Sequence, residues 1–544
     1  MRLLQGFTGM LKKEFAGYDA KRLGKDVLAG VTVAAVALPL ALAFGVSSGA
    51  SAAAGLVTAI LAGLVIGSLS GASYQLSGPT GAMTAILVSL VAQYGLNGVF
   101  LACLLSGVML ILAGVFKLGD IVSFIPLPVI TGFTSGIAVI IALGQINNLT
   151  GLTSAGEETI ERIISYFTLP QSSFNPAALI MGVAVILLIA FYPRKWAQVC
   201  PASLVAIILA TGANILFRLP VTSVGEIPRT LLLGERLTLS AIHLKELRGL
   251  VMPAISIAAL GMIESLLCGA SAGRMKNEKL NASQELIAQG IGNVVLPFFG
   301  GVPATAAIAR TSVAIKAGGQ TRLTGIIHSA VLLLSMFALG SVMSAIPLCA
   351  LAGVLIMTAW RMNEWHAIKE IFSKKITSAI LQFFITMACT VVFDLTVAIV
   401  IGVLFSVMTF VIKVSNMQVT VSDVIPAKLP KQAAFTEKLS HTGVVYITGP
   451  LYFGSVRRLE DALEALSGKE QIIFSLRGVP LADLSGVQAL QEICGRLTQN
   501  NTSVYFASLQ PPVREIFEKL ELIEKIGEDH FYWSTDQALE KLAA

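Results

Sequence analysis

Residues 27–116 are ninety consecutive positions without an Asp, Glu, Lys, Arg or His. The core of a soluble domain does not need so long an uncharged run. A bilayer does, because each spanning helix takes about 20 apolar residues and the hydrocarbon interior penalises charge. Over all 544 residues only 13% are charged, where a soluble globular chain carries about 25%. These properties exclude a cytosolic enzyme, a secreted disulfide scaffold and a nucleic-acid binder as the main reading. They imply a polytopic protein whose first partner is the lipid bilayer.

Fourteen apolar segments follow one another, at 27–45, 52–71, 80–94, 98–116, 121–149, 177–193, 199–217, 249–270, 280–298, 303–316, 323–345, 347–360, 376–393 and 395–412. An even number of crossings returns both ends to one side. Loop charges say which side. Lys12, Lys13, Lys21, Arg22 and Lys25 precede the first segment, and Lys117, Arg194, Lys195, Arg274, Lys276, Lys316, Arg322 and Arg361 follow even-numbered ones. By the positive-inside rule both termini are cytoplasmic and the chain belongs in a cell (inner) membrane. The basic excess sits in this part. Residues 1–415 carry 26 Lys and Arg against 16 Asp and Glu, and residues 416–544 carry 12 against 16. The expected domains are a cytoplasmic N-terminal segment, 1–25, a transmembrane part, 26–415, and a cytoplasmic C-terminal part, 416–544.

Two segments are too short to span. The third opens Gly78-Pro79-Thr80-Gly81-Ala82-Met83-Thr84 and the tenth Gly300-Gly301-Val302-Pro303-Ala304-Thr305-Ala306-Ala307. Each is a Gly/Pro breaker followed by small residues. They lie seven segments apart, which suggests two halves of seven, the second inverted. Paired interrupted segments at matching positions point to a transporter site. The N-terminus of a half-helix offers unpaired N–H groups and the positive end of its dipole, a binding site for anions. Gly81, Ala306 and Ala307 leave room for an anion to approach backbone, and Thr80 and Thr305 add hydroxyls.

Charges inside the apolar segments are few. Glu264 follows fifteen uncharged residues, and an intramembrane carboxylate lines a cavity or a relay, as a proton carrier or cation ligand. The other reading is a structural partner for a buried base. Arg310, seven residues after Pro303, either lends charge to the cavity or pairs with Glu264. Asp394 is expected in an interfacial turn, and His328 to pack or to bond a neighbouring helix. Trp360 and Trp365 look like interface anchors. Six scattered cysteines form no CxxC pair, so neither a metal site nor a disulfide framework is expected. Gly78-Pro79-Thr80-Gly81 lacks the Gly-Lys-Ser/Thr of a phosphate loop, and no nucleophile motif stands out. An enzyme is rejected and no cofactor is expected.

The C-terminal part alternates strand-like runs (Val444–Thr448, Gln471–Leu476, Ser503–Ser508) with amphipathic ones (Ser455–Leu466, Ser485–Thr498, Pro512–Glu521), which reads as a small α/β domain.

Several of these stretches resemble the sulfate permease (SulP) family of anion transporters. Asp26-Val27-Leu28-Ala29-Gly30-Val31-Thr32-Val33-Ala34 and Ala37-Leu38-Pro39-Leu40-Ala41-Leu42-Ala43-Phe44-Gly45 resemble its first span. Gly78 to Thr84 resembles its third, and Phe299 to Pro303 with Ala309-Arg310-Thr311-Ser312 its tenth. Val444 to Leu542 is similar to the STAS domain that closes these chains. The resemblance implies an all-α membrane fold of 14 segments as a 7+7 inverted repeat with core and gate domains, an elevator-like motion and a homodimer. It places substrate at Phe44, Thr80, Gly81, Ala306 and Ala307, with Glu264 at the coupling position. Sodium-coupled bicarbonate members resemble the first span closely but have Asp and Thr where this chain has Glu264 and Cys268, and Thr at the Ile308 position. With two hard oxygen ligands fewer, coupling to H⁺ is expected in place of Na⁺. In STAS regulators the phosphorylated residue directly follows the loop Asp; here Leu484 follows Asp483, and Ser485 comes one place later. The leading expectation is proton-coupled uptake of a small anion such as sulfate, bicarbonate or a dicarboxylate. The alternatives are a Na⁺-coupled bicarbonate symporter, an uncoupled anion channel or exchanger, a membrane sensor acting through STAS or a cytoplasmic partner of it, and a nucleobase permease.

Overall fold

The computed structural model describes residues 2–120, 125–152, 154, 159–168, 174–197, 200–238, 240, 244–393, 395–414, 417–424, 437–452 and 468–543. Asp394, Asn416 and the helix expected at 455–466 lie outside these residues. The chain forms two compact units, Met1–Leu404 and Phe405–Ala544.

In the first unit helices α1 (Arg2–Glu14), α2 (Ala20–Ser47) and α3 (Ala52–Leu61) lead into a π-helical turn, Ala62–Ile66. Helix α4 (Gly81–Val115) joins the third and fourth apolar segments, but Gly95 at φ 66 breaks it between them. Only glycine adopts that left-handed conformation without penalty. The series continues with α5 (Leu127–Gly144), α6 (Thr159–Thr168), α7 (Pro176–Phe191), α8 (Ala202–Phe217), α9 (Leu244–Lys276) and α10 (Ala282–Val295). It ends with α11 (Ile308–Lys316), α12 (Leu323–Ser344), α13 (Leu348–Met362) and α14 (Thr377–Val392), and α15 (Leu395–Val414) begins in the first unit and runs into the second. Among the described residues seven helical stretches are long and apolar enough to cross a membrane, and four shorter apolar helices accompany them. Large side chains on α7 and α8 stay open to the surroundings, Ile180, Phe191, Leu216 and Phe217 among them. Lipid accepts such a surface.

The packing pairs repeat with the shift of seven segments. Helix α10 packs on α4, as α12 packs on α3. Helix α9 packs on α4, as α2 packs on α11 and α12. The pairs α5 with α14 and α13 with α7 are likewise exchanged. Most contacts fall within two groups, one of α2, α3, α4 and α9 to α12, the other of α5, α7, α8, α13 and α14. These are the core and gate of a 7+7 inverted repeat.

The N-terminal segment is tied to the core. Glu14 accepts from the Arg322 guanidinium at 2.8 Å, both side chains nearly buried. Asp26, fully buried, accepts from Tyr18, Thr321 and Thr324 hydroxyls. A buried charge is tolerated only when its lone pairs are filled in this way.

The second unit holds a five-stranded sheet, β3 (Gln418–Asp423), β4 (Thr442–Thr448), β5 (Gln471–Gly478), β6 (Ser503–Ala507) and β7 (Phe531–Tyr532), in that spatial order. β3 and β4 are antiparallel and the other pairs parallel. Helices α16 (Leu484–Gln499), α17 (Pro511–Lys519) and α18 (Thr535–Ala543) accompany it. Asp483 caps α16 by accepting from Gly486 N at 2.7 Å. Phe474 and Phe506 stack in the core at 5.6 Å.

Candidate substrate site

The two breakers meet. Ser77–Gly78 (β1) and Thr305–Ala306 (β2) pair antiparallel, Ser77 opposite Ala306 and Gly78 opposite Thr305. Beyond β1 the chain passes Pro79 and enters α4. Thr80 caps that helix, its Oγ1 accepting from Met83 N at 3.4 Å. Beyond β2 the chain enters α11, which has no side-chain cap.

The tenth segment therefore begins its helix later than its sequence suggests, at Ile308, because the residues before it are extended and paired. Ala307 N–H donates to Leu76 O at 2.9 Å, and Ala306 N–H to Ser265 Oγ at 3.3 Å. The first-turn amides left without an intrahelical or capping partner are those of Ile308, Ala309 and Arg310 on α11, which has no side-chain cap, and of Gly81 and Ala82 on α4. Ile308 is exposed and Ala306 fully buried.

Glu264 and Arg310 engage successive residues of the first breaker. Thr80 Oγ1 donates to Glu264 Oε2 at 2.9 Å. Arg310 Nη2 donates to Pro79 O at 3.0 Å, while its buried Nη1 has no hydrogen-bond partner. Arg310 is 1% exposed. Gly78 makes room for it, since a Cβ there would lie 1.9 Å from Nη1. Phe44 closes on the end of α4: a Cβ on Gly81 would lie 3.3 Å from its Cε1 and 2.3 Å from Ile141 Cδ1 of α5. Cys268 Sγ donates to Thr311 Oγ1 at 3.6 Å. Among the described residues no group of three or more His, Cys, Asp or Glu could hold a metal ion. His328 is fully buried on α12, facing Gly63 in the π-helical turn.

The supports of the breakers went unread in the sequence. Glu285, Gln289 and Asn293 recur every four residues along one face of α10, and all are fully buried. Glu285 accepts from Ser70 Oγ at 2.6 Å and from Gly71 N at 2.9 Å. Gln289 Nε2 donates to Ser77 Oγ at 2.7 Å. Asn293 accepts from Ala304 N at 2.8 Å and donates to Ala304 O at 2.9 Å. Thr58 Oγ1 accepts from Val302 N at 2.7 Å. A polar stripe at helical spacing in an apolar segment was the signal. Asn293→Ala should cost about 2–6 kcal/mol, because two buried backbone groups lose their partners at ~1–3 kcal/mol each. A melting midpoint unchanged in detergent would show that Asn293 does not hold the second breaker.

Two inverted halves whose interrupted segments meet in the core define a membrane transporter, with a small α/β domain after it. The chain belongs to the sulfate permease family, a family of anion transporters and not of enzymes. The model for the Sulfate permease family matches residues 23–389, and that for the STAS domain residues 434–538. YvdB of Bacillus subtilis (strain 168) is 34% identical over 532 residues, covering 96% of this chain and 98% of its own. The Bicarbonate transporter BicA of Synechocystis sp. is 30% identical, covering 96% and 94%. The solved transmembrane domain of a cyanobacterial BicA superposes with a TM-score of 0.62 at 30% identity, covering 72% of this chain and 98% of that one. Murine Slc26a9 gives a TM-score of 0.82 at 17% identity, over 95% of this chain and 91% of that one, a likeness of fold.

Proposed function

We propose that this protein takes up a small oxyanion, of the sulfate, bicarbonate or dicarboxylate class, by proton-coupled secondary transport. The observation that carries the reading is the antiparallel pairing of the two breakers. It brings two half-helix N-termini together and sets Thr80, Glu264 and Arg310 beside them. The first-turn amides of α4 and α11 would bind the anion, with Phe44, Thr80, Gly81, Ala306, Ala307 and Arg310 around it. Arg310, held by the Pro79 carbonyl and not by the Glu264 carboxylate, adds positive charge behind the site.

Glu264 is assigned to coupling. As a carboxylate it accepts the hydrogen bond of the Thr80 hydroxyl, which orients the capping group. Once protonated it is a weaker acceptor and a donor itself, so the cap reports the charge of Glu264. Alternation follows from an elevator-like movement of the core group past the gate group. The names of the relatives, sulfate for YvdB and bicarbonate for BicA, support the substrate class. With both termini cytoplasmic, residues 416–544 serve assembly or partner binding in a homodimer of the inner membrane, beside the transport part, 26–415, and the N-terminal segment, 1–25.

Purified protein in liposomes should accumulate labelled sulfate, bicarbonate or fumarate when the outside is acidified. Accumulation of none of them, under either a pH or a Na⁺ gradient, would overturn transport. Truncation after Val414 should change expression, assembly or rate and leave the order of preference among the three anions unchanged. A folded truncate with a new preference would move specificity into the STAS domain.

A further inference from the structure

A cavity of about 450 Å³ lies among the C-terminal ends of α2, α5 and α14, the first half of α4, the N-terminal part of α9, and α6. On the orientation proposed above, those ends of α2, α4, α5, α9 and α14 point outwards, so the cavity is an outer vestibule. A water occupies about 30 Å³ in the liquid, so the space holds an anion together with water. Both groups of helices wall it. Ser47 and Thr84 come from the core group, Ile141 and Gln145 from the gate group. Gln145 Nε2 donates to Ser47 Oγ at 2.9 Å and joins the two.

The vestibule stops one side chain short of the half-helix ends. Phe44, Gly81 and Ala306 do not line it, and Ile141 does. The place a Cβ would take on Gly81 lies 2.3 Å from Ile141 Cδ1 and 3.3 Å from Phe44 Cε1. Ile141 Cδ1 therefore rests against the backbone of Gly81, the first residue of α4. Gly81 and Phe44 belong to the core group, so a single side chain from the gate group closes the gap. At the other half-helix Ile308 is exposed, yet it does not line the vestibule either. Its exposure comes from elsewhere, and towards the vestibule the site is shut.

We propose that Ile141 is the outer gate of the transport site, an apolar barrier one residue thick whose bulk sets the largest anion admitted and stops uncoupled passage. The proposal rests on the transport reading for its place in the cycle. An apolar side chain offers an anion nothing in exchange for its water, so desolvation makes the barrier. Gly81 and Ile141 stand on opposite groups. An elevator-like movement of the core past the gate parts them, and the barrier opens as the site turns outwards. Because Cδ1 is the atom on Gly81, every carbon removed from this side chain widens the passage without disturbing a hydrogen bond.

The test uses the full-length protein in liposomes loaded with labelled sulfate, bicarbonate or fumarate. Efflux into anion-free medium, with pH equal on both sides, measures passage without exchange. Ile141→Ala should raise that efflux at least about tenfold, a modest lowering of the barrier, and should reduce pH-driven accumulation, because a leak dissipates it. Ile141→Val should raise the fumarate-to-bicarbonate ratio of efflux rates by roughly tenfold, what one carbon is worth in telling substrates apart. Ile141→Phe should lower the ratio. Leu90→Ala, which also lines the vestibule but away from Gly81, should change neither. Folded Ala and Val variants with the efflux and the ratio of the wild type overturn the gate. An equal leak through Leu90→Ala also overturns it, since the effect would then be general loosening. A leak through Ile141→Ala beside a wild type that accumulates none of the three anions would retain the gate and overturn the transport reading instead. Should Ile141→Ala fail to fold, Ile141→Val, which removes only Cδ1, decides the matter by its ratio.

Discussion

Glu264→Gln should abolish pH-driven accumulation of the anion while anion exchange remains measurable. Glutamine keeps the shape and an oxygen for the Thr80 hydroxyl, which now donates at 2.9 Å, so the cap of α4 survives. What is lost is the group that can gain and release a proton. One pH unit stores about 1.4 kcal/mol per proton, so one proton per anion sustains roughly tenfold accumulation. With the membrane potential clamped, the wild type should approach that ratio when the outside is acid, and Glu264→Gln should stay near equilibrium. The expected direction is that lowering external pH loads Glu264 from outside and drives uptake. Accumulation by the Gln variant in response to a pH gradient would remove Glu264 from coupling. A wild type that ignores pH and requires Na⁺ would make sodium the coupling ion.

Much of this architecture was legible because it depends on patterns that the bilayer enforces. The uncharged run, the even number of apolar segments and the spacing of Gly78-Pro79 from Val302-Pro303 are properties of sequence alone. What was not legible is pairing at a distance. The extended Thr305–Ala306 differs from a helical turn only through its partner, Ser77–Gly78. That partnership moves the first-turn amides on to Ile308, Ala309 and Arg310. Arg310 read equally well as a partner of Glu264 or as a charge for the cavity; a backbone carbonyl, Pro79 O, takes its hydrogen bond, and no side-chain pattern announces a carbonyl. Glu285, by contrast, was visible by the reasoning that singled out Glu264, and Gln289 and Asn293 continue its face. The Gly and Ala residues of the breakers drew attention to the site and away from the polar scaffold that holds it. In the STAS domain β3 and β7 went unread because one is separated from the rest of the sheet by a long connection and the other is two residues long.

Gly81→Leu should cut uptake by at least about a hundredfold without unfolding the protein. Gly81 is the first residue of α4, and its amide is one of those left for the anion. A Cβ there would lie 2.3 Å from Ile141 Cδ1 and 3.3 Å from Phe44 Cε1. The first of these atoms is the far end of a flexible chain, so Ile141 can turn aside at an overpacking cost of about 1–3 kcal/mol. The added side chain then stands where the anion must reach backbone, and a displacement near 1 Å already costs about 10²-fold in a positioned site. Gly81→Ala should lie between the two. Combining it with Ile141→Val should recover part of the loss if crowding at α5 is the cause, and none of it if the amide is what matters. Gel filtration and a melting curve establish folding for each variant. A folded Gly81→Leu protein that transports at near wild-type rate would separate the end of α4 from the substrate path, and the site would have to be sought along α11, at the amides of Ile308, Ala309 and Arg310.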